Sequence, residues 1–256
     1  MKSNLFLLFF LFCAGALTAQ VSIGFRAGVL GCTIVQNSSE VDAPELQRLG
    51  SFQAAIPIEI AIGQSFAVQP EIMYGTLGSK FEILNKSEPE GTDGTLLEVT
   101  LSGRSRTTII EVPVLGKLKF GSDRLRFFLQ AGPSVAMGLR GKSTAKGVIR
   151  VIKDDKVLNG FEVNEKATAK FVKNGYAAAE ISDDQYAAPR FSTHLHFGGG
   201  VLLQLGRIGL LFDARYILGL SDVSVEVEGT PQDQKYSDKS RRIGLSMGVM
   251  VPLGVR

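Results

Sequence analysis

The chain has no tryptophan, only two histidines and only two cysteines in 256 residues. Cys13 and Cys32 leave no disulfide framework and no metal-finger spacing. His194 and His196 are the sole imidazoles, and with no thiol nearby a metal site there lacks its third and fourth ligands. An excess of one charge is also missing. Lys and Arg number 28 against 25 Asp and Glu, so the formal net charge of +3 makes no electrostatic case for nucleic acid. Past residue 20 no apolar run approaches the ~20 residues a membrane helix needs. A mature chain that spans a membrane must therefore do so as strands.

What is present begins with an address. Met1 to Asn4 is short and carries Lys2, Leu5 to Phe12 is an unbroken apolar run, and Cys13 to Gln20 relaxes into small residues. That is the order of a secretory signal peptide, cut after Ala19 or Gln20. The run is too short for an anchor. Phe10-Leu11-Phe12 ahead of Cys13 lacks the small residues of a lipoprotein site. The chain divides into a leader at 1–20 and one domain at 21–256.

Eight segments then alternate with a period of two. They start at Val21, Phe52, Phe66, Ile110, Leu125, Phe191, Ile208 and Ile243. In the first, Val21, Ile23, Phe25, Ala27 and Val29 oppose Ser22, Gly24, Arg26 and Gly28. Strict alternation predicts strands with one apolar and one polar face. Each run is about 10 residues or longer, the length of a tilted membrane-crossing strand. Three connections are turn-sized (63–65, 121–124 and 206–207), and four are long (about 31–51, 82–106, 140–190 and 221–241). Short turns at one end and long loops at the other characterise membrane barrels. The fold predicted is all-β, an eight-stranded antiparallel up-and-down transmembrane β-barrel.

The polar face decides between lipid and a buried cavity as solvent for the apolar one. It is dominated by Gly, Ala and Ser, with charges of both signs. That suits a crowded lumen, whereas a water-facing surface is rich in Lys and Glu. The lumen network predicted is Arg26, Glu59, Glu71, Glu111, Lys117, Arg126, His194, His196, Asp213 and Arg215. Paired carboxylates can do acid–base work. Here cations neutralise them, and no nucleophile–base–acid set accompanies them, so no catalytic residue, metal or cofactor is assigned. Pro57, Pro70, Pro113 and Pro133 cannot donate to a ladder, and bulges are expected at some of them.

The segments Phe66-Ala67-Val68-Gln69-Pro70-Glu71-Ile72-Met73-Tyr74, Glu111-Val112-Pro113-Val114-Leu115-Gly116-Lys117, Gln130-Ala131-Gly132-Pro133 and Gly248-Val249-Met250-Val251-Pro252-Leu253 carry a resemblance. Over the whole mature chain they resemble the PorT-like outer-membrane β-barrel proteins of Bacteroidetes-type bacteria. The resemblance implies location in the cell outer membrane, and for some members a part in protein secretion and gliding. The end Leu253-Gly254-Val255-Arg256 departs from the aromatic finish of the usual assembly signal. Partners expected are outer-membrane lipids, the outer-membrane barrel assembly machinery and a secretion or envelope complex.

The segment at 140–190 is the most unusual. Val148-Ile149-Arg150-Val151-Ile152-Lys153-Asp154-Asp155-Lys156-Val157-Leu158 reads as a hairpin turning at the two aspartates. Nine basic and seven acidic residues lie between Lys142 and Arg190. Arg150, Lys153, Asp154, Asp155 and Lys156 form the candidate partner-binding loop, with a protective surface loop as the alternative. Three functions compete: a non-enzymatic envelope or secretion component presenting loops to partners, a small channel or passive transporter, and a barrel enzyme.

Overall fold

Where the sequence alternates, the chain is strand. The computed structural model describes residues 20–37, 47–87, 95–153, 156–172, 184–222 and 237–253, with 176–177, 182 and 226–227. The predicted leader up to Ala19, and Asp154 and Asp155, lie outside the described residues. The strands are β1 (Val21–Asn37), β2 (Leu49–Ile62), β3 (Phe66–Ser87), β4 (Thr95–Gly121), β5 (Leu125–Lys153) and β6 (Lys156–Val172). They continue as β7 (Tyr176–Ala177), β8 (Gln185–Pro189), β9 (Phe191–Leu205), β10 (Ile208–Gly219), β11 (Glu226–Val227) and β12 (Ser237–Pro252).

Ten strands form one sheet, in the order β4-β3-β2-β1-β12-β10-β9-β5-β6-β8, and β4 also pairs with β5. The ladder therefore returns on itself through β1, β2, β3, β4, β5, β9, β10 and β12, every pair antiparallel. All eight alternating segments lie in this circuit. The sheet nonetheless has ten strands, two more than expected, because β6 and β8 attach to it outside the circuit. A closed ladder leaves no unpaired edge within the circuit.

Two expected loops are largely strand. The 82–106 connection is taken up by the ends of β3 and β4, paired from Gly78↔Arg106 to Ser87↔Leu97. The 140–190 segment holds the end of β5, all of β6 and β8. Strand β5 pairs with β9 over 125–137, then exchanges it for β6 over 142–153. The result is a raised sheet of β3, β4, β5 and β6 standing above one side of the circuit. The hairpin read at 148–158 is present, with β5 ending at Lys153 and β6 starting at Lys156.

The prolines do not make bulges. Pro57↔Glu71 and Ile60↔Val68 share one register, as do Pro113↔Ser134 and Gly116↔Ala131. The ladder skips the pairs near proline, which lacks the N–H, and resumes in step. Register shifts fall instead at Thr108/Ile109 and Val151/Ile152, where β4 and β5 leave the circuit and where the hairpin turns. At the short-turn end, Gly63 (φ 75°), Gly121 (φ 115°) and Gly206 (φ 61°) supply the positive backbone angles that tight turns require.

The apolar face points away from the enclosed space. Phe25 is 53% exposed, Val29 64% and Leu129 57%, whereas Arg26 and Glu111 are fully buried. From Phe120 to Ile110 the outward side of β4 spans about 25 Å at roughly 3.3 Å per residue and a tilt near 40°. That matches the height of the apolar band of outer-membrane barrels. Phe120 and Phe127 stack at the lower rim, ring centroids 5.9 Å apart.

Candidate functional site

Because side chains alternate along each strand, every inward position of the circuit meets its counterparts across a narrow interior. Polar residues fill it in three tiers. Nearest the short turns, Glu59 receives hydrogen bonds from Lys117 and Lys119, each at 2.8 Å. Lys117 also donates to Gln69 at 2.8 Å and lies 4.0 Å from the centroid of the Phe128 ring.

The middle tier centres on Glu71. Arg215 grips its carboxylate at two points, 2.7 and 2.8 Å, and Arg26 adds a third contact at 2.9 Å. Arg215 Nε donates to Asp213 at 2.9 Å, and Gln130 donates to the same carboxylate. The upper tier centres on Glu111. Arg242 binds it at two points, 2.8 and 3.1 Å. His196 Nε2 lies 2.9 Å and His194 Nδ1 3.1 Å from Glu111 Oε1, and Ser134 donates to the same oxygen.

Among the described residues five buried Lys and Arg (Arg26, Lys117, Lys119, Arg215 and Arg242) face four buried carboxylates (Glu59, Glu71, Glu111 and Asp213). Buried charge persists only when paired and hydrogen-bonded, and here each carboxylate has at least one cation. Above the tiers, β8 brings Tyr186, Ala188 and Pro189 against Leu77, Ile109 and Ser240 around a small pocket at the mouth. Phe171 of β6 lies over Gly138, within 2.3 Å of where a β-carbon would sit.

Nine of the ten expected lumen residues meet in these tiers. Arg126 does not: it pairs with Asp123 of the neighbouring turn at 2.8 Å, at the rim. Its strand face is the one expected, but it lies too close to the turn to reach the interior. Alternation misses Arg242, because the last run starts at Ile243 when only apolar positions are followed. Continuing the period back from Ser246 and Gly244 would have found it. Arg150 lies on the raised sheet, where it pairs with Glu98 at 3.3 Å. Lys153 and Lys156 face each other at the hairpin's end.

Ser134, His196 and Glu111 bring a hydroxyl, an imidazole and a carboxylate together, but not as a relay. Ser134 Oγ (3.1 Å) and Glu111 Oε1 (2.9 Å) approach the same nitrogen, Nε2 of His196. A relay needs the acid on one ring nitrogen and the nucleophile on the other. Among the described residues no three His, Cys, Asp or Glu side chains are grouped to hold a metal ion.

A β-sheet closed on itself, with its apolar side chains outside and its charges paired within, defines an integral membrane β-barrel. The chain belongs to the outer membrane protein beta-barrel domain family, whose model matches residues 18–225. No curated protein matches it. Among solved structures it is similar to Neisserial surface protein A (13% identity, TM-score 0.38, covering 90% of this chain and 96% of that one). It is also similar to Ail, the attachment invasion locus protein of Yersinia pestis (11%, TM-score 0.36, 90% and 99%). The outer membrane protease OmpT from Escherichia coli is more distant (6%, TM-score 0.27, 91% and 97%). The family places the protein in the outer membrane, with membrane lipid against its apolar belt.

Proposed function

We propose that this protein is a non-enzymatic, eight-stranded up-and-down transmembrane barrel of the PorT-like kind. In this reading a signal peptide exports it and the barrel assembly machinery inserts it. The short turns face the periplasm and the raised sheet faces outward. Its task is to present that sheet to a partner in an envelope or protein-secretion complex.

One observation carries the reading. The interior is occupied by paired charges, while among the described residues a broad unpartnered surface lies above the belt. Eight strands enclose a space that side chains just fill. The three tiers fill it from turn to mouth, which disfavours a channel or passive transporter. The non-relay geometry of Ser134, His196 and Glu111, buried in the upper tier, speaks against hydrolysis. On the raised sheet, the face continuous with the lumen carries Phe81, Ile83, Leu97, Val99, Leu101, Ile149, Val151, Phe161 and Val163. Register places these on one side across four strands. A broad apolar sheet face suits protein docking.

The test is cross-linking and co-purification from intact outer membranes, comparing the native chain with one in which an Asn-Gly turn replaces residues 147–163. Loss of a specific partner, with the barrel still inserted, supports the reading. Unchanged partners, or steady ion-selective conductance of the native protein in planar bilayers, defeats it.

A further inference from the structure

The opposite face of the raised sheet is chemically different. The β3–β4 register runs without a shift from Tyr74↔Ile110 to Ser87↔Leu97, so even-numbered residues of both strands keep facing the way the lipid belt faces. The added residue at Thr108/Ile109 keeps β5 in step, so Arg140 pairs with Thr108 and Lys142 with Arg106. Ascending from the belt on this outward face, the first row holds Arg140 and the second Arg106 and Lys142. The third holds Lys80, Arg104 and Lys166, aligned through Lys80↔Arg104, Arg104↔Thr144 and Thr144↔Lys166. The acidic residue Glu82 first enters in the fourth row, across Ser102 from Lys146, which itself pairs with Glu162 at 3.2 Å.

All six cations are exposed, and none forms an ion pair among the described residues. Higher up the arrangement reverses. Lys86 and Arg150 both bind Glu98, at 2.9 and 3.3 Å, and the hydrogen bond from Lys86 holds that carboxyl below its usual range. On this face, among the described residues, the cations of the three rows nearest the belt are unmatched, while Lys86, Arg150 and Lys146 higher up are paired. Rows one to three stand about 5–15 Å above the Ile110 level, at roughly 3.3 Å per residue and a tilt near 40°. Headgroups reach about 10 Å beyond the apolar band on each side, so the first two rows lie at their depth and the third stands just above it, within reach of the long Lys80 and Lys166 side chains.

The geometry points to an anionic-lipid contact: these three rows bind phosphorylated headgroups of the leaflet in which the upper end of the barrel sits. The inference rests on lipid being the solvent of the apolar belt. Two features favour a lipid over a soluble polyanion. The cations continue the lipid-facing surface without a step, and they are spread along one side at headgroup depth rather than gathered in a concavity. Arg forks and Lys ammonium groups bind phosphate through charge-assisted hydrogen bonds.

The experiment uses the full processed chain in phosphatidylcholine nanodiscs, with and without diphosphoryl lipid A, and native mass spectrometry of the lipid retained after detergent exchange. Insertion into phosphatidylcholine alone, read by heat-modifiable gel mobility, tests the belt separately. The native chain is expected to retain lipid A in preference to its dephosphorylated form, and to lose it in high salt. R104Q/R106Q/K142Q should bind it about a hundredfold more weakly, at roughly fivefold per cation near an anionic surface. K80Q/K166Q, in the third row, should weaken it in the same direction should the first variant fold poorly. K86Q/R150Q removes charge higher up, and an equal loss there would reduce the effect to net charge and overturn the site. Equal retention of the dephosphorylated lipid would overturn it too. So would tight binding of inositol hexakisphosphate in detergent without any lipid A preference.

Discussion

Arg242 and Glu111 face each other across the upper lumen and join at two points, Nη1 to Oε2 at 2.8 Å and Nη2 to Oε1 at 3.1 Å. Both side chains are fully buried. Removing one partner of such a pair leaves the other charge buried without its counter-ion, whereas replacing both removes the two charges together.

Arg242→Met is therefore expected to destabilise the barrel by about 3–5 kcal/mol, the cost of stranding a buried charge. The double variant with Glu111→Gln should lose clearly less than the two single variants summed, since the residues share one interaction. Urea unfolding in phosphatidylcholine vesicles measures all three, and strict additivity would show that the pair is not coupled.

Lys117→Met should cost less than Arg242→Met. Glu59 keeps Lys119 at 2.8 Å, so no carboxylate is left bare. What disappears is one of the two bonds to Glu59, the bond to Gln69 and the contact with the Phe128 ring. A loss of about 1–3 kcal/mol is expected in the same unfolding assay.

Gly200 tests how tightly the interior is packed. A β-carbon there would sit 2.0 Å from the Phe212 carbonyl oxygen and 2.5 Å from the Phe128 ring. Backbone cannot yield as a flexible side chain does, so Gly200→Leu should abolish folding to the heat-modifiable form. Recovery of normal gel mobility would show that β9 and β10 can separate there.

Val114 is 46% exposed near the middle of the belt. Lysine at this depth costs about 2–4 kcal/mol when lipid is the solvent and next to nothing when water is. Val114→Lys thus separates the two environments by unfolding free energy alone. An effect under about 0.5 kcal/mol would contradict lipid contact.

The circuit of strands was readable because lipid imposes a repetitive demand. Wherever the chain crosses it, every second residue must be apolar, as Ile110, Val112 and Val114 are. Above the belt that demand lapses. The apolar residues of β4 move to the opposite parity at Leu97, Val99 and Leu101, and the outward positions become Arg104 and Arg106. Alternation of outward apolar residues stops where the lipid stops, which is why 82–106 reads as loop in the sequence. The same bias hid Arg242, an inward residue just before the first outward apolar residue of β12. Parity gives Arg126 its face, but depth along the barrel is not encoded in parity. The balanced overall charge concealed the basic rows for a related reason: opposite charges segregate onto faces of the sheet, which composition does not record.

The 29-residue β5 belongs to two neighbourhoods, lying beside β9 in the lower part and β6 in the upper. No pivot separates the two halves, since β4 stays bonded to β5 from Gly121↔Arg126 to Thr95↔Lys153, with one register step at Thr108/Ile109. A pull on the hairpin tip would be shared along this continuous ribbon and delivered to the wall of the barrel. The projecting sheet behaves as a mast stepped into a hull, so whatever grasps its top is held at a set distance and angle from the membrane.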